Sequence, residues 1–216
     1  MAKSCVWEKI IYITPENDIE KYPHTKSTLL PYREQLKLRR EAANGKIPWY
    51  SLNWPRRKKL FEQPKILIRQ TADHIMACFD IDGWYCLKSG LIVQLPSNAT
   101  IQYKYLLGIL NSWLIRYLYD DLVGEQARVF PEVKPVQLFK LPIRPINFSD
   151  PADKAMHDEL VSLVERMLEL HKRSPRLPQE KETLQREIES TDGRIDKLVY
   201  ELYGLSEDEV KIVEGV

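Results

Sequence analysis

The hydrophobic positions change their period along the chain. Between Lys65 and Leu95, apolar residues come in short runs, "KILIRQ", "HIMACFDI", "WYCLK" and "GLIVQL", rich in β-branched and aromatic side chains. Turn-forming residues separate them: Thr71-Ala72-Asp73, Asp82-Gly83 and Ser89-Gly90. Runs of this length and composition predict three or four strands. Connections this short cannot cross over a sheet, so the strands are expected to be antiparallel. "DIDGWY" is expected as a hairpin turn tipped by Asp82-Gly83. From Thr100 the period becomes helical. Leu106, Ile109, Leu110, Trp113, Leu114 and Tyr117 predict one helix over about 100–119, capped by Ser97 or Asn98.

The last third of the chain is helical in pattern throughout. Leu160, Val164, Met167 and His171 form one stripe, widened by Leu163 and Leu170. "RSPRLPQ" then breaks the helix with two prolines. Leu184, Ile188, Thr191, Ile195, Leu198 and Leu202 come next at alternating spacings of four and three, a heptad seam. Two helices joined by a short proline break predict an antiparallel hairpin, suited to a coiled-coil-like seam. Gly204 is the expected stop, and Ser206 with Glu209 reads as a capping box. Near the N-terminus, residues 27–45 read as one basic helix after Pro31, closed by Asn44-Gly45, with Leu36 and Leu38 inward. Pro48, Pro55 and Pro64 divide the stretch from 46 to 64 into short pieces. The fold class expected is α+β: a small, mostly antiparallel sheet with packed helices, then a C-terminal antiparallel helical hairpin. A boundary is placed in "NFSDP", giving domains 1–147 and 148–216.

Charge adds a polarity that the total hides. The 216 residues carry a net charge of only +1. Residues 1–70 nevertheless hold 15 Lys and Arg against 7 Asp and Glu, and residues 151–216 hold 10 against 16. Such a chain presents one basic and one acidic region. Cys5, Cys78 and Cys86 are an odd number without CxxC spacing, which argues against a disulfide framework or a zinc site. Cys78 and Cys86 stand in apolar surroundings and are expected to be buried, reduced thiols, as in the cytoplasm. No run is long and apolar enough to span a membrane, and no signal peptide is evident.

Several kinds of chemistry are missing. The sequence has no G-x-G-x-x-G, no P-loop and no G-x-S-x-G elbow. His24, His74, His157 and His171 stand singly, without metal-ligand spacing. Asp80 and Asp82 of "FDID" could hold a metal, as in a nuclease, although an Asp-rich turn is the plainer reading. No Asn/Asp-Pro-Pro-aromatic tetrapeptide is present. A binding surface is the better expectation. Tyr32, Trp49, Tyr50, Trp54 and Phe61 interleave with Arg33, Arg39, Arg40, Arg56, Arg57, Lys58, Lys59, Lys65 and Arg69. Cations neutralise phosphates, and aromatic faces pack on sugars or bases. A solvated cationic face over an aromatic core would read the same way.

Four segments succeed one another in a recognisable order: "IPWYSLNWPRRKKLFEQPKILIRQ", "YLLGILNSWLIRYLY", "LFKLPI" and "TDGRIDKLVYELYGLSEDEVKIVEG". The chain resembles the TaqI-like C-terminal specificity domain, the target-recognition region of adenine-specific DNA methyltransferases. In particular it resembles the carboxy-terminal part of fused type IIG restriction–modification enzymes. The resemblance runs from about Ser27 to the end, and its most specific motif spans Ile195 to Gly215. It implies a sequence-specific module that binds double-stranded DNA and has no catalytic site, cofactor or metal of its own. S-adenosylmethionine and the missing tetrapeptide belong to a catalytic domain or subunit, the second expected partner. The start at Met1-Ala2-Lys3 fits a domain excised from a longer enzyme better than a separate subunit.

The resemblance also distributes roles. Arg39, Arg40, Arg56, Arg57, Lys58 and Lys59 are the phosphate-binding candidates. Arg69, Gln70, His74, Lys88, Gln126 and Arg128 are the base-reading candidates, because Arg suits guanine and Gln suits adenine in the major groove. Strands 65–95 and the helix after them form the scaffold, and the loop "GEQARVFPE" faces DNA, where relatives often carry a Gly-Gly-aromatic turn. Trp49, Tyr50 and Trp54 are expected to pack against the sheet. The acidic hairpin is expected to dock on the catalytic partner rather than lie along DNA. From a different class, a protein-interaction adaptor assembling through the hairpin is the alternative.

Overall fold

Proline and a shortage of apolar residues set the character of the first part of the chain. The computed structural model describes residues 10–124 and 131–215. By packing, the chain divides into two compact units, Met1–Lys59 and Leu60–Val216. Among the described residues the first holds a 3-10 turn at Ile19–Lys21 and the short α-helices α1 (Pro23–Leu29), α2 (Arg33–Lys37) and α3 (Arg40–Ala43). A 3-10 turn around Pro31 separates α1 from α2 at Leu30–Tyr32, because proline offers no N–H to the helical ladder. The single helix expected after Pro31 is itself broken once. Arg39 then adopts an extended backbone (φ −61°, ψ 134°). Leu36 is half-buried as expected, but Leu38 is 81% exposed. Ile13 and Ile19 are the fully buried apolar side chains among this unit's described residues. Hydrogen bonds therefore carry much of its order. Leu52 N donates to Ile13 O at 2.9 Å, Tyr50 Oη donates to Asn17 O at 2.9 Å, and Tyr12 Oη donates to Arg56 O.

Helix α4 (Lys59–Glu62) starts at the last residue of the first unit, and a three-stranded antiparallel sheet follows it in the second. The strands are β1 (Lys65–Arg69), β2 (Ala77–Asp80) and β3 (Gly90–Val93), in the order β2-β1-β3. Ile66 faces Phe79 on one side and Val93 on the other. The antiparallel expectation holds, with two differences. "WYCLK" forms no strand: Tyr85 instead stacks on Phe61 (4.3 Å between centroids), and both edges of β1 are taken by β2 and β3. The "DIDGWY" turn exists, with Gly83 at φ 81°, yet the segments it joins do not pair. The Asp80 carboxylate builds that turn by accepting from Asp82 N and Trp84 N, both at 2.9 Å.

The helix expected over 100–119 is two helices, α5 (Tyr103–Asn111) and α6 (Trp113–Val123). Buried Ser112 makes the break, extended at ψ 154°. Its Oγ donates to Ile109 O at 2.8 Å and accepts from Ile115 N at 3.3 Å, so it closes one helix and caps the next. The start is Gln102, with no side-chain cap, rather than Ser97 or Asn98. Tyr105 to Leu110 are all buried, with α5 lying between the sheet and the later helices. A short α7 (Pro135–Leu138) leads to the hairpin of α8 (Pro151–Lys172) and α9 (Pro178–Tyr203), then α10 (Glu207–Glu214).

The hairpin obeys its sequence pattern closely. Leu160, Leu163 and Val164 meet Ile195, Leu198, Val199 and Leu202 in one core shared with Ile66 and Ile68 of the sheet; Leu170 is also buried, although His171 is exposed. Gly204 ends α9 in the left-handed conformation (φ 70°, ψ 32°), and Ser206 with Glu209 forms the capping box. Tyr203 Oη donates to Pro142 O at 2.7 Å, and Arg144 Nη2 donates to Asp153 Oδ1 at 2.7 Å. The segment before α8 is thus tied into the helices. Cys78 is exposed and Cys86 half-buried, against the expectation of buried thiols; Cys5 lies outside the described residues. Among the described residues, no helix is long and apolar enough to cross a membrane.

Candidate nucleic-acid interface

The proline-rich segment after α3 places its cations unequally. Arg40, Arg57, Lys58 and Lys59 are exposed and Arg56 is half-buried. Arg39 is directed inward. Its Nε donates to Leu36 O at 3.0 Å, and its Nη2 donates to Trp49 O at 2.7 Å and Ser51 O at 2.8 Å. A guanidinium bound to three carbonyls fixes the loop that carries the other cations; charge-assisted bonds of this kind are among the stronger ones available. Trp49 and Tyr50 pack edge to face at 5.7 Å, and Arg33 lies 5.6 Å from the Trp49 ring. Those two aromatics pack on each other within the first unit. Trp54 does not: it is 79% exposed.

Lys65 leaves the surface set altogether. It is wholly buried, donates to Phe61 O, and pairs with its cross-strand partner Asp80. Asp80 therefore already serves a buried cation and two backbone N–H groups, which leaves Asp80 and Asp82 as a structural turn. Among the described residues, no group of three or more His, Cys, Asp or Glu is placed to hold a metal ion.

In the second unit, antiparallel pairing brings the C-terminal end of β1 beside the N-terminal ends of β2 and β3. Four base-reading candidates gather at that one end. Arg69 is exposed, and its backbone N donates to Met76 O at 3.1 Å. Gln70 is pinned on both sides, with N donating to Ser89 O at 2.8 Å and O accepting from Val133 N at 2.7 Å. Lys88 is exposed beside Ser89. His74 is half-buried, its Nδ1 2.6 Å from the Asp73 carboxylate. Fixed backbone with polar side chains left over is the arrangement that a sequence reader needs. Gln126 and Arg128 lie outside the described residues, although Val133, a little further on, docks at this same end.

Two contributors were not legible in the sequence. Asn111 latches the exposed edge of β2: Ala77 N donates to Asn111 Oδ1 at 2.9 Å, and Asn111 Nδ2 donates to Ala77 O at 3.0 Å. That fixes the strand after the 70–76 loop. The only sequence signal was an amide inside an apolar helix. Arg116 stacks 4.6 Å from the half-exposed Trp113 ring, presenting a cation and an aromatic together on α6.

The small sheet thus carries a group of polar side chains at one end and is held on a helical core. The chain matches the TaqI-like C-terminal specificity domain family over residues 17–143, more than half its length, and it belongs to that family. The match spans parts of both units and ends before α8, so the Ile195–Gly215 motif lies beyond it. No curated protein matches the chain.

Proposed function

We propose that the chain is the sequence-recognition module of a restriction–modification adenine-N6 DNA methyltransferase of the fused type IIG kind, working in the cytoplasm. It binds duplex DNA and does no chemistry itself. S-adenosylmethionine is held by the catalytic domain or subunit with which it works. The observation that carries this reading is the family match over a region containing both the exposed cations and the sheet end with Arg69, Gln70, His74 and Lys88. Arg40, Arg57, Lys58 and Lys59 bind phosphates, with Arg39 and Arg56 supporting their loop. Arg69 and Gln70 lead the base readers, with Gln126 and Arg128 as further readers. Within this scheme residues 1–147 recognise the target, and 148–216 provide the acidic surface that faces the catalytic partner.

The test is a salt titration of DNA binding, then selection of bound sequences from a random duplex pool. Arg57→Ala with Lys59→Ala should weaken binding on all sequences and lower the salt slope by about 2, near one for each phosphate no longer neutralised. Arg69→Ala with Gln70→Ala should leave the slope and relax the selected sequence, at about 1–3 kcal/mol per base pair read. Unchanged binding in the first pair would remove the phosphate assignment. An unchanged consensus in the second would remove the base assignment.

A further inference from the structure

Trp54 is the most exposed aromatic side chain among the first unit's described residues, at 79%. Its backbone also stands at φ 52°, where it is the one non-glycine among the described residues at positive φ. Bulky side chains avoid that region because Cβ crowds the neighbouring carbonyl. Pro55 comes next, and its ring crowds the residue before it as well. An indole left in water and a strained backbone are two separate costs. A residue needed only for packing would incur neither, and such strain collects at binding sites.

The neighbouring sequence indicates what covers this ring. Arg57, Lys58 and Lys59 are exposed a few residues on, and no acidic residue occurs between Glu41 and Glu62. An aromatic face rising from a run of cations with no acidic residue among them suits a polyanion that itself carries flat rings. We infer that Trp54 stacks on a base of the bound DNA, reaching past the phosphates that Arg57 and Lys59 hold. The inference rests on the DNA reading above and adds an interaction that this reading did not contain. Stacking into a duplex requires a base step to open, and an imperfectly paired base opens at lower cost.

Two duplexes of equal length and charge test this with the full chain, one fully paired and one with a single mismatch, across a range of salt. Wild type should prefer the mismatched duplex. Trp54→Ala should lose that preference and about 5- to 100-fold in affinity, with the salt slope unchanged. Trp54→Phe should keep part of both. Trp54→Gly, which relieves the backbone, should bind as weakly as the alanine variant with a Tm no lower than wild type. Alanine binding both duplexes as wild type does would overturn the inference alone, and so would a lowered salt slope. A Tm loss above about 5 °C in the glycine variant would make Trp54 a packing residue and also overturn it. Failure of wild type to bind either duplex would overturn the DNA reading and this stacking role with it.

Discussion

At Asp196 a carboxylate is buried where α6 begins. It is 7% exposed and accepts from Trp113 N at 2.8 Å. Burial raises its pKa from 3.8 to about 6; the Trp113 N–H opposes the rise, while Asp192 and Glu214 add to it. The folded state therefore holds this proton more tightly than the unfolded chain does. Stability from this group is greatest below the unfolded value, falls as pH rises from about 4 to about 6, and then levels off. Asp196→Asn keeps an oxygen for the Trp113 N–H and removes the charge. It should raise stability at pH 7.5 by on the order of 2 kcal/mol, or about 4–8 °C in Tm, and change little at pH 4. Thermal melts at both pH values check this, and an equal effect at the two would refute the assignment. Charge alone did not reveal such roles. Lys65 and Arg39 read as surface cations because the groups that receive them, Asp80 in one case and the Trp49 and Ser51 carbonyls in the other, are brought near only by the fold.

Helices α5 and α8 approach closely at Gly108. A Cβ built there would lie 2.9 Å from Val164 Cγ2 and 3.0 Å from Leu160 Cδ1, both on buried side chains with little room to move. Gly108→Ala gains about 1 kcal/mol in helix propensity but overpacks the crossing, at about 1–3 kcal/mol. It should destabilise by about 1 kcal/mol on balance. Gly193, in α9, has nothing within 4 Å of such a Cβ, so Gly193→Ala should stabilise by roughly 0.5–1 kcal/mol. Urea unfolding of the two variants should give opposite signs; the same sign in both would refute the close-packing account. The same contrast explains which elements were legible. The hairpin, its caps and the Gly204 stop depend on residues within a turn or two of each other, and their pattern is visible in sequence. The sheet order, the missing strand at 84–88 and the break at Ser112 depend on β1 pairing at both edges and on Asp196, which is remote in sequence. The gathering of Arg69, Gln70, His74 and Lys88 was likewise invisible until register joined the strand ends.

At the scale of the molecule, division of labour and folding run along different lines. Charge separates a basic start from an acidic hairpin, but the hydrophobic core does not separate there: Tyr105, Leu106 and Ile109 of α5 belong to one cluster with Leu160, Val164, Leu198 and Val199. Arg144 binds the intervening segment to both sides: its N donates to Tyr203 Oη and its Nη2 to Asp153 of the hairpin, while its carbonyl accepts from Tyr105 Oη of α5. Burial of this kind is the main favourable term in folding, and a fragment that loses one wall of its core loses it outright. Residues 60–216 alone should therefore unfold in one cooperative transition by far-UV circular dichroism. Residues 60–147 alone should show no cooperative transition, because the α5 face against Leu160 and Val164 would be open to water. Adding residues 148–216 as a separate chain should restore the transition if the packing alone is what the shorter fragment lacks. A cooperative melt of 60–147 by itself would instead show that the sheet and α5 are self-sufficient. The hairpin would then be a detachable docking arm.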